Sequence, residues 1–314
     1  MTDRCPICGK SARPFRHKVR GDKPIKVYRC QGCDLDYLGI WDDEKTTLGF
    51  YDNNNYVYKS NYTGHKANSD EYRKRFELVS PHLNRETRLL DIGCGDGTFL
   101  KMIKPYVKAA EGTEKTSIHA QMLKKQGYKV WHSLTKDVRP ESPYDIICMF
   151  AVLEHIPKAA EFLRDLKARF THKNTQIFII TPHLLDPLVS CYDVPEYRDF
   201  FYREYHLYYF TEKSMGRLLE KTGFQFEIKP VLQASLTNHF HWMHKGHGQA
   251  NTTDMSNVVL PKSPLMSTTP SGRPFHDVLS KVDNYYRELL CEEKIGDLLF
   301  CRAWIKRPDL KDPN

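Results

Sequence analysis

Four cysteines form two Cys-x-x-Cys pairs near the start of the chain, Cys5 and Cys8 in "CPICG" and Cys30 and Cys33 in "CQGC". Four thiolates match the tetrahedral preference of zinc and close its shell. No position remains for water, so the expected role is structural rather than catalytic. The neighbouring glycines allow a tight knuckle that turns backbone N–H groups toward sulfur. A redox dithiol or chance spacing is the alternative. A second constellation is "RLLDIGCGDGTFL", residues 88–100, where Gly93, Gly95 and Gly97 follow an apolar run. Asp91 stands in front of them and Asp96 between them. Glycine is costly inside a strand or helix, so this cluster marks a turn where backbone must approach a ligand closely. Strand, glycine turn and helix together make a nucleotide-binding unit at the carboxyl edge of a parallel sheet. Dinucleotide folds use G-x-G-x-x-G. Here the third glycine comes early and Thr98 occupies the place of the last one, which suits a ligand without a pyrophosphate.

The elements that must position these residues can be read from apolar periodicity. "RLLDI", "YVKAAEG", "YKVW", "YDIICMF" and "TQIFIIT" are expected strands, and "FQFEIKP" and "DLLFCRAWI" the last two. A helix is expected over "SDEYRKRFELVSPHL", with Ser69 or Asp70 as cap. Another, "AAEFLRDLKARF", places Phe162, Leu163, Leu166 and Phe170 on one face. "TEKSMGRLLEKTGF" is expected to begin at a Thr211 cap and stop at Gly223. Strands alternating with helices give an α/β fold, a parallel sheet covered on both faces. The expected organisation is a cysteine module at 1–40, a Tyr- and Asn-rich lead-in with its helix at 41–85, and a large domain at 86–314. That domain carries an insert at about 231–296, whose stretch near 246–272 is rich in Ser, Thr, Pro and Gly and is expected to be loop.

The chain of 314 residues is 40% hydrophobic, enough for a packed core. Its longest apolar run, Ile146 to Leu153, is far short of the ~20 residues a membrane span needs. "MTDRCPICGK" has no apolar signal region, so a cytoplasmic, reducing setting is expected, in which cysteines favour metal over disulfides. Seven of the eight net positive charges come from the first 33 residues, where nine Lys or Arg face two acids. Such a patch is either a solvated face or a phosphate contact.

The glycine stretch resembles motif I of class I S-adenosylmethionine-dependent methyltransferases, acid-x-Gly-x-Gly-x-Gly. The resemblance implies a seven-stranded Rossmann-like sheet and S-adenosylmethionine as cofactor, with Zn(2+) beside it on the cysteines. It implies cofactor contacts from Asp91, Gly93, Gly95, Asp96 and Gly97. An acid at the end of the second strand would bond the ribose hydroxyls. "AAEGTEKT" offers Glu111 and Glu114, and Glu114 stands in the family's place. The third strand ends at "VWHSLT", where the family often has an acid for adenine and this chain has His132 and Ser133. The fourth strand runs through Phe150 into "MFAVLEHIP", similar to the family's segment after that strand. The cysteine pairs, "YLGIW", and "EYHLYYFTEKSMGRLLEKTGF" resemble bacterial methyltransferases of sugar, polysaccharide and secondary-metabolite biosynthesis.

This resemblance implies a small-molecule acceptor, a sugar or nucleotide-sugar, with O-methylation favoured. A hydroxyl acceptor needs a proton acceptor, and histidine has the right range. His206, in the signature after the fifth strand, is the first candidate and His155 the second, with Glu204 and His183 behind them. Tyr202, Tyr205, Tyr208 and Tyr209 could wall a sugar pocket or simply pack. His239, His241, His244 and His247 are expected to be pocket or surface residues rather than a second metal site, and Asn238 and His239 could reach the acceptor. Two other enzymatic readings stay open: an RNA methyltransferase gripping RNA with the cysteine module, and a C-methyltransferase of a nucleotide-linked keto-sugar. Against RNA, "FAVLEH" stands where a base-flipping Asn-Pro-Pro-Tyr-like motif would be. A non-enzymatic binding module is the third alternative, opposed by the intact motif I.

Overall fold

The computed structural model describes residues 4–43, 49, 69–248, 271 and 275–305. Residues 44–48 and 50–68 of the tyrosine-rich lead-in and nearly all of the Ser/Thr/Pro-rich loop lie outside the described residues, as do the side chains of Ser69 and Asp70 expected to cap the first helix.

The cysteine segment supplies three short antiparallel strands, β1 (Arg13–Arg16), β2 (Val27–Cys30) and β3 (Leu35–Leu38). After helix α1 (Ser69–Val79), β4 (Arg88–Ile92) opens the main sheet. Helix α2 (Thr98–Ile103), β5 (Ala109–Thr113), α3 (Ser117–Lys125), β6 (Val130–Trp131) and β7 (Tyr144–Phe150) follow. Next come α4 (Ala159–Phe170), β8 (Thr171–Pro182) and two short helices, α5 (Pro187–Ser190) and α6 (Pro195–Phe201). The chain then makes β9 (Tyr208–Tyr209), α7 (Glu212–Thr222), β10 (Phe224–Val231), α8 (Leu236–Lys245), α9 (Phe275–Glu292) and β11 (Leu298–Ile305).

Seven strands form the main sheet in the order β10-β11-β8-β7-β4-β5-β6. Strands β4 to β8 are parallel, as expected. β11 is not: it runs antiparallel to both β8 and β10. Antiparallel neighbours need no crossover helix on the sheet face, so the α8–α9 insert between β10 and β11 is free to lie elsewhere. The chain builds outward from β4 to one edge and then returns to the other side of β4 as β7. That reversal opens a crevice at the carboxyl ends of β4 and β7, where α/β sheets bind ligands.

Alternation along the strands divides the core. Leu90, Ile147, Met149, Ile177 and Ile179 face α4 and α7, while Leu89, Ile146, Cys148, Phe178 and Ile180 face α1, α2 and α3. On α4 the fully buried stripe is Ala159, Leu163, Leu166 and Phe170. Phe162, expected on that face, sits at its edge and is only half-buried. Helix α7 starts with Thr211 and Ser214 capping each other's backbone N–H groups and ends at Gly223, left-handed at φ 81°.

The cysteine segment shares its sheet with the main domain. β9 adds to β3 through Asp36↔Tyr209 and Tyr37↔Tyr208. Asp36, fully buried, accepts two bonds from Arg29 (2.8 and 2.7 Å) and one from Tyr202 Oη (2.7 Å). From α7, Arg217 Nη1 donates to Gly32 O (2.6 Å) and Lys221 Nζ to Ile7 O (2.9 Å). Both cysteine knuckles are thereby tied to one helix of the main domain.

Candidate active site

The glycine loop leaves β4 at the crevice, and all three of its glycines are left-handed: Gly93 φ 70°, Gly95 φ 56° and Gly97 φ 75°. Their surroundings differ. A Cβ on Gly93 would press on Val152 Cγ2 at 2.6 Å, and one on Gly97 would collide with Leu123. A Cβ on Gly95 would meet nothing within 4 Å. Gly93 and Gly97 are therefore required by packing, whereas Gly95 borders open space, as a position that a ligand approaches must.

The acid within β5 and the one that follows it have separate fates. Glu114 is buried, and its Oε2 accepts from Gly95 N (2.8 Å) while Oε1 accepts from Thr116 N (2.6 Å). It thus stands against the glycine loop. Glu111, in the middle of the strand, takes bonds from Tyr144 Oη (2.5 Å), Lys129 (3.2 Å) and Arg88 (3.5 Å), a structural network. Asp91, on β4 between Gly112 and Cys148, is buried, and desolvation pushes its carboxyl up to about 7. Arg75 of α1 acts against that shift and lies over the ring of Phe150 (5.3 Å). Phe150 also meets Phe99 edge-on (5.0 Å). Arg75 is a residue that sequence reasoning missed. Nothing in "SDEYRKRF" distinguishes it from the neighbouring arginine and lysine until α1 is laid across the sheet.

The remaining expected contacts have partners of their own. Asp96 Oδ1 accepts from Thr98 N (3.0 Å) at the start of α2. Ser133 Oγ accepts from Asp137 N (3.4 Å), and His132 Nε2 lies 2.7 Å from Lys115 O.

On the other side of the crevice, β7 ends at Phe150 and turns through Ala151, left-handed at φ 57°, into a single 3-10 turn over Leu153–His155. The packing of Val152 on Gly93 puts this turn beside the glycine loop. The segment carrying His206 is stitched onto it: Leu207 N donates to Glu154 O (2.7 Å), and His155 Nδ1 lies 2.7 Å from Tyr205 O. The rings of His155 and His206 come to 4.7 Å between centroids. Burial lowers His155 to about 4, takes His206 well below the usual imidazole range and raises Glu154 to about 8. Glu154 was not singled out from sequence. "LEH" shows only that an acid precedes a histidine, and it takes the turn after β7 to aim both inward.

The other candidates do not converge here. Glu204 pairs with Lys23. His183 is fully buried at the end of β8. Tyr202, Tyr208 and Tyr209 are buried packing residues, and of the four tyrosines only Tyr205 is partly exposed, stacked on His155 at 5.7 Å. His239 Nδ1 bonds Tyr286 Oη (2.6 Å), and Asn238 is buried on α8 as its N-terminal turn closes on Ser235.

Among the described residues, two clusters bring three or more metal-ligating groups together: Cys5, Cys8, Cys30 and Cys33, and Glu154, His155 and His206. In the first, Sγ atoms lie 3.5 Å apart for Cys5–Cys33 and 3.4 Å for Cys8–Cys30. Zn–S bonds of about 2.3 Å in a tetrahedron place sulfurs about 3.8 Å apart, so the cluster fits zinc with little adjustment.

Residues 64–227 match the family described as Methyltransferase domain. The chain belongs to this family and is a class I S-adenosylmethionine-dependent methyltransferase. Comparison with curated proteins found no match. Similar solved structures include an S-adenosylmethionine-dependent methyltransferase from Archaeoglobus fulgidus, at 15% identity and TM-score 0.49, covering 79% of this chain and 98% of that one. A possible histamine N-methyltransferase from Thermotoga maritima is similar at 14% identity and TM-score 0.48, covering 83% and 100%. The plantazolicin methyltransferase BamL, in complex with S-adenosylhomocysteine, is similar at 15% identity and TM-score 0.46, covering 85% and 94%.

Proposed function

We propose that this methyltransferase transfers its methyl group to a hydroxyl of a sugar or glycan-related small molecule. The observation that carries the reading is the pairing of His155 and His206 beside the glycine loop, at the sheet edge where the acceptor must lie. S-adenosylmethionine supplies the electrophile. Asp91, Gly93, Gly95, Gly97, Glu114 and Phe150 are assigned to its pocket, with Asp96 and Ser133 shaping the turns around it. Bound there, it would supply an in-line displacement in which the acceptor oxygen takes the methyl carbon as the S–CH3 bond breaks, with S-adenosylhomocysteine as the leaving group. The protein contributes alignment and removal of the hydroxyl proton. His206, with His155 beside it, is assigned to that removal. The four cysteines are assigned a structural zinc, which holds β2 and β3 against β9 and so supports the segment that delivers His206.

Of the RNA and keto-sugar readings, RNA is weakened by a specific observation. Arg16, Lys18, Lys23 and Arg29 of the basic segment are paired with Asp199, Asp22, Glu204 and Asp36. The test is a methyl-transfer screen over nucleotide sugars with mass detection, run beside an RNA titration against salt. An O-methylated sugar and a flat salt slope are expected. A C-methylated keto-sugar would move the acceptor atom to carbon, and tight RNA binding with a steep slope would replace the sugar reading.

A further inference from the structure

We infer that Glu154, His155 and His206 bind a divalent transition-metal ion on the acceptor side of the crevice. The inference rests on the reading of this edge as the acceptor site, and it turns the proton-removing role of the two imidazoles into a metal-borne one. Three observations support it. The ligand atoms of the three side chains all lie within 4.8 Å of one another. Metal–nitrogen and metal–oxygen bonds of about 2.1 Å gather donors on this scale, so small side-chain rotations bring all three onto one ion.

The second observation is Glu154, which has no exposed surface and whose carboxylate meets no hydrogen-bond donor from any other residue. Buried polar groups are hydrogen-bonded, paired or metal-bound in nearly every case. Arg75 and Arg203 act on it electrostatically, but neither donates to it.

The third is the orientation of His155. Its Nδ1 lies 2.7 Å from Tyr205 O, and a carbonyl only accepts, so Nδ1 carries the proton and the neutral ring keeps its lone pair on Nε2. Nε2 stands 3.7 Å from Glu154 Oε1. A cation between the two would take both as ligands. An Nδ1–H bonded to a backbone carbonyl is also how metal-binding imidazoles are usually oriented. His206 adds a buried Nδ1 without a partner.

Two imidazoles and one carboxylate favour manganese, iron, cobalt or zinc over magnesium and calcium. Three protein ligands leave positions open, and an acceptor with two adjacent oxygens, such as a sugar diol, fills them. Coordination acidifies the hydroxyl and its proton passes to solvent. The oxygen then takes the methyl as S-adenosylhomocysteine departs, and the metal keeps its oxidation state.

The test is a cobalt titration of full-length protein whose cysteine site is already filled with zinc. Cobalt on nitrogen and oxygen gives weak visible bands, while thiolate-bound cobalt adds intense charge-transfer absorption. One equivalent of the weak type is expected in the parent and in His244→Gln. It should be lost in Glu154→Gln and His206→Gln, with S-adenosylmethionine binding retained as the sign of a folded protein. A parent that takes up no such cobalt overturns the inference whatever the variants do, and so does weak-type binding that survives both substitutions. If no such cobalt binds yet His206→Asn slows transfer, direct deprotonation by His206 stands and the metal falls. If cobalt binds but no hydroxyl acceptor is methylated, the metal stands and the proposed acceptor falls.

Discussion

Glu114 Oε2 accepts the backbone N–H of Gly95 at 2.8 Å, so the acid at the end of β5 fixes the middle of the glycine loop on β4. The bond ties two neighbouring parallel strands together at the crevice. It also leaves the carboxylate with lone pairs for a ribose diol.

Glu114→Ala is expected to weaken S-adenosylmethionine binding by about 1.5–3 kcal/mol, roughly tenfold to a hundredfold, because both a charge-assisted bond and the anchor of the loop are lost. Glu111→Ala is expected to leave that affinity nearly unchanged and to lower the melting temperature, since its partners are structural. Calorimetry on the two variants separates the roles. Equal loss of affinity in both would contradict the assignment.

Gly95 and Gly97 should respond differently to a side chain. Both are left-handed, so either substitution carries strain of roughly 1–3 kcal/mol. Gly95→Val adds its bulk to open space, and a protein that folds but no longer binds cofactor is expected. Gly97→Val drives into Leu123 and is expected to lose most of its stability. Thermal melts and cofactor calorimetry on the pair check this, and normal binding by folded Gly95→Val would refute it.

The carboxyl of Asp91, pushed up to about 7 by burial, should make cofactor binding depend on pH. S-adenosylmethionine carries a sulfonium and an ammonium group, and the ionised carboxylate receives them better. Affinity should therefore rise as pH climbs through about 7, and fall by up to about tenfold per unit below it. The stability of the free protein moves the other way. The folded value lies above the unfolded one of about 4, so stability is lost as pH rises through that interval. Asp91→Asn should bind weakly and show a flat profile between about pH 5.5 and 7.5. Titrations across that range decide it.

The zinc proposed for the four cysteines should be present in the parent and released by Cys30→Ser, seen by elemental analysis of protein purified without chelator. Its effect should pass beyond the cysteine segment, because Leu38 N bonds Leu207 O (2.9 Å) and β3 pairs with β9. Faster amide exchange at Leu207 to Tyr209 is expected together with reduced turnover. Parent-like exchange there would show that the segment does not support His206.

Several features are local and were therefore legible in the sequence. The glycine spacing requires a turn, the two Cys-x-x-Cys pairs each make their own knuckle, and Thr211 and Gly223 bound α7 by bonds within a few residues. Strand and helix alternation fixed the α/β class, since the periods of 2 and 3.6 are set by backbone geometry. The tertiary structure decided what depends on residues far apart. It chose between Glu111, in the middle of β5 among structural partners, and Glu114, just past its carboxyl end against the glycine loop. It reversed β11, which carries the same apolar pattern in either direction. It joined β9 to the cysteine segment through backbone pairing that leaves no mark on side-chain type. It also brought Glu154 and His155 to His206, some fifty residues away, because Leu207 N bonds Glu154 O and the His155 ring bonds Tyr205 O. Sequence period determines which residues face a core. Only the closed sheet determines which of the inward residues meet one another.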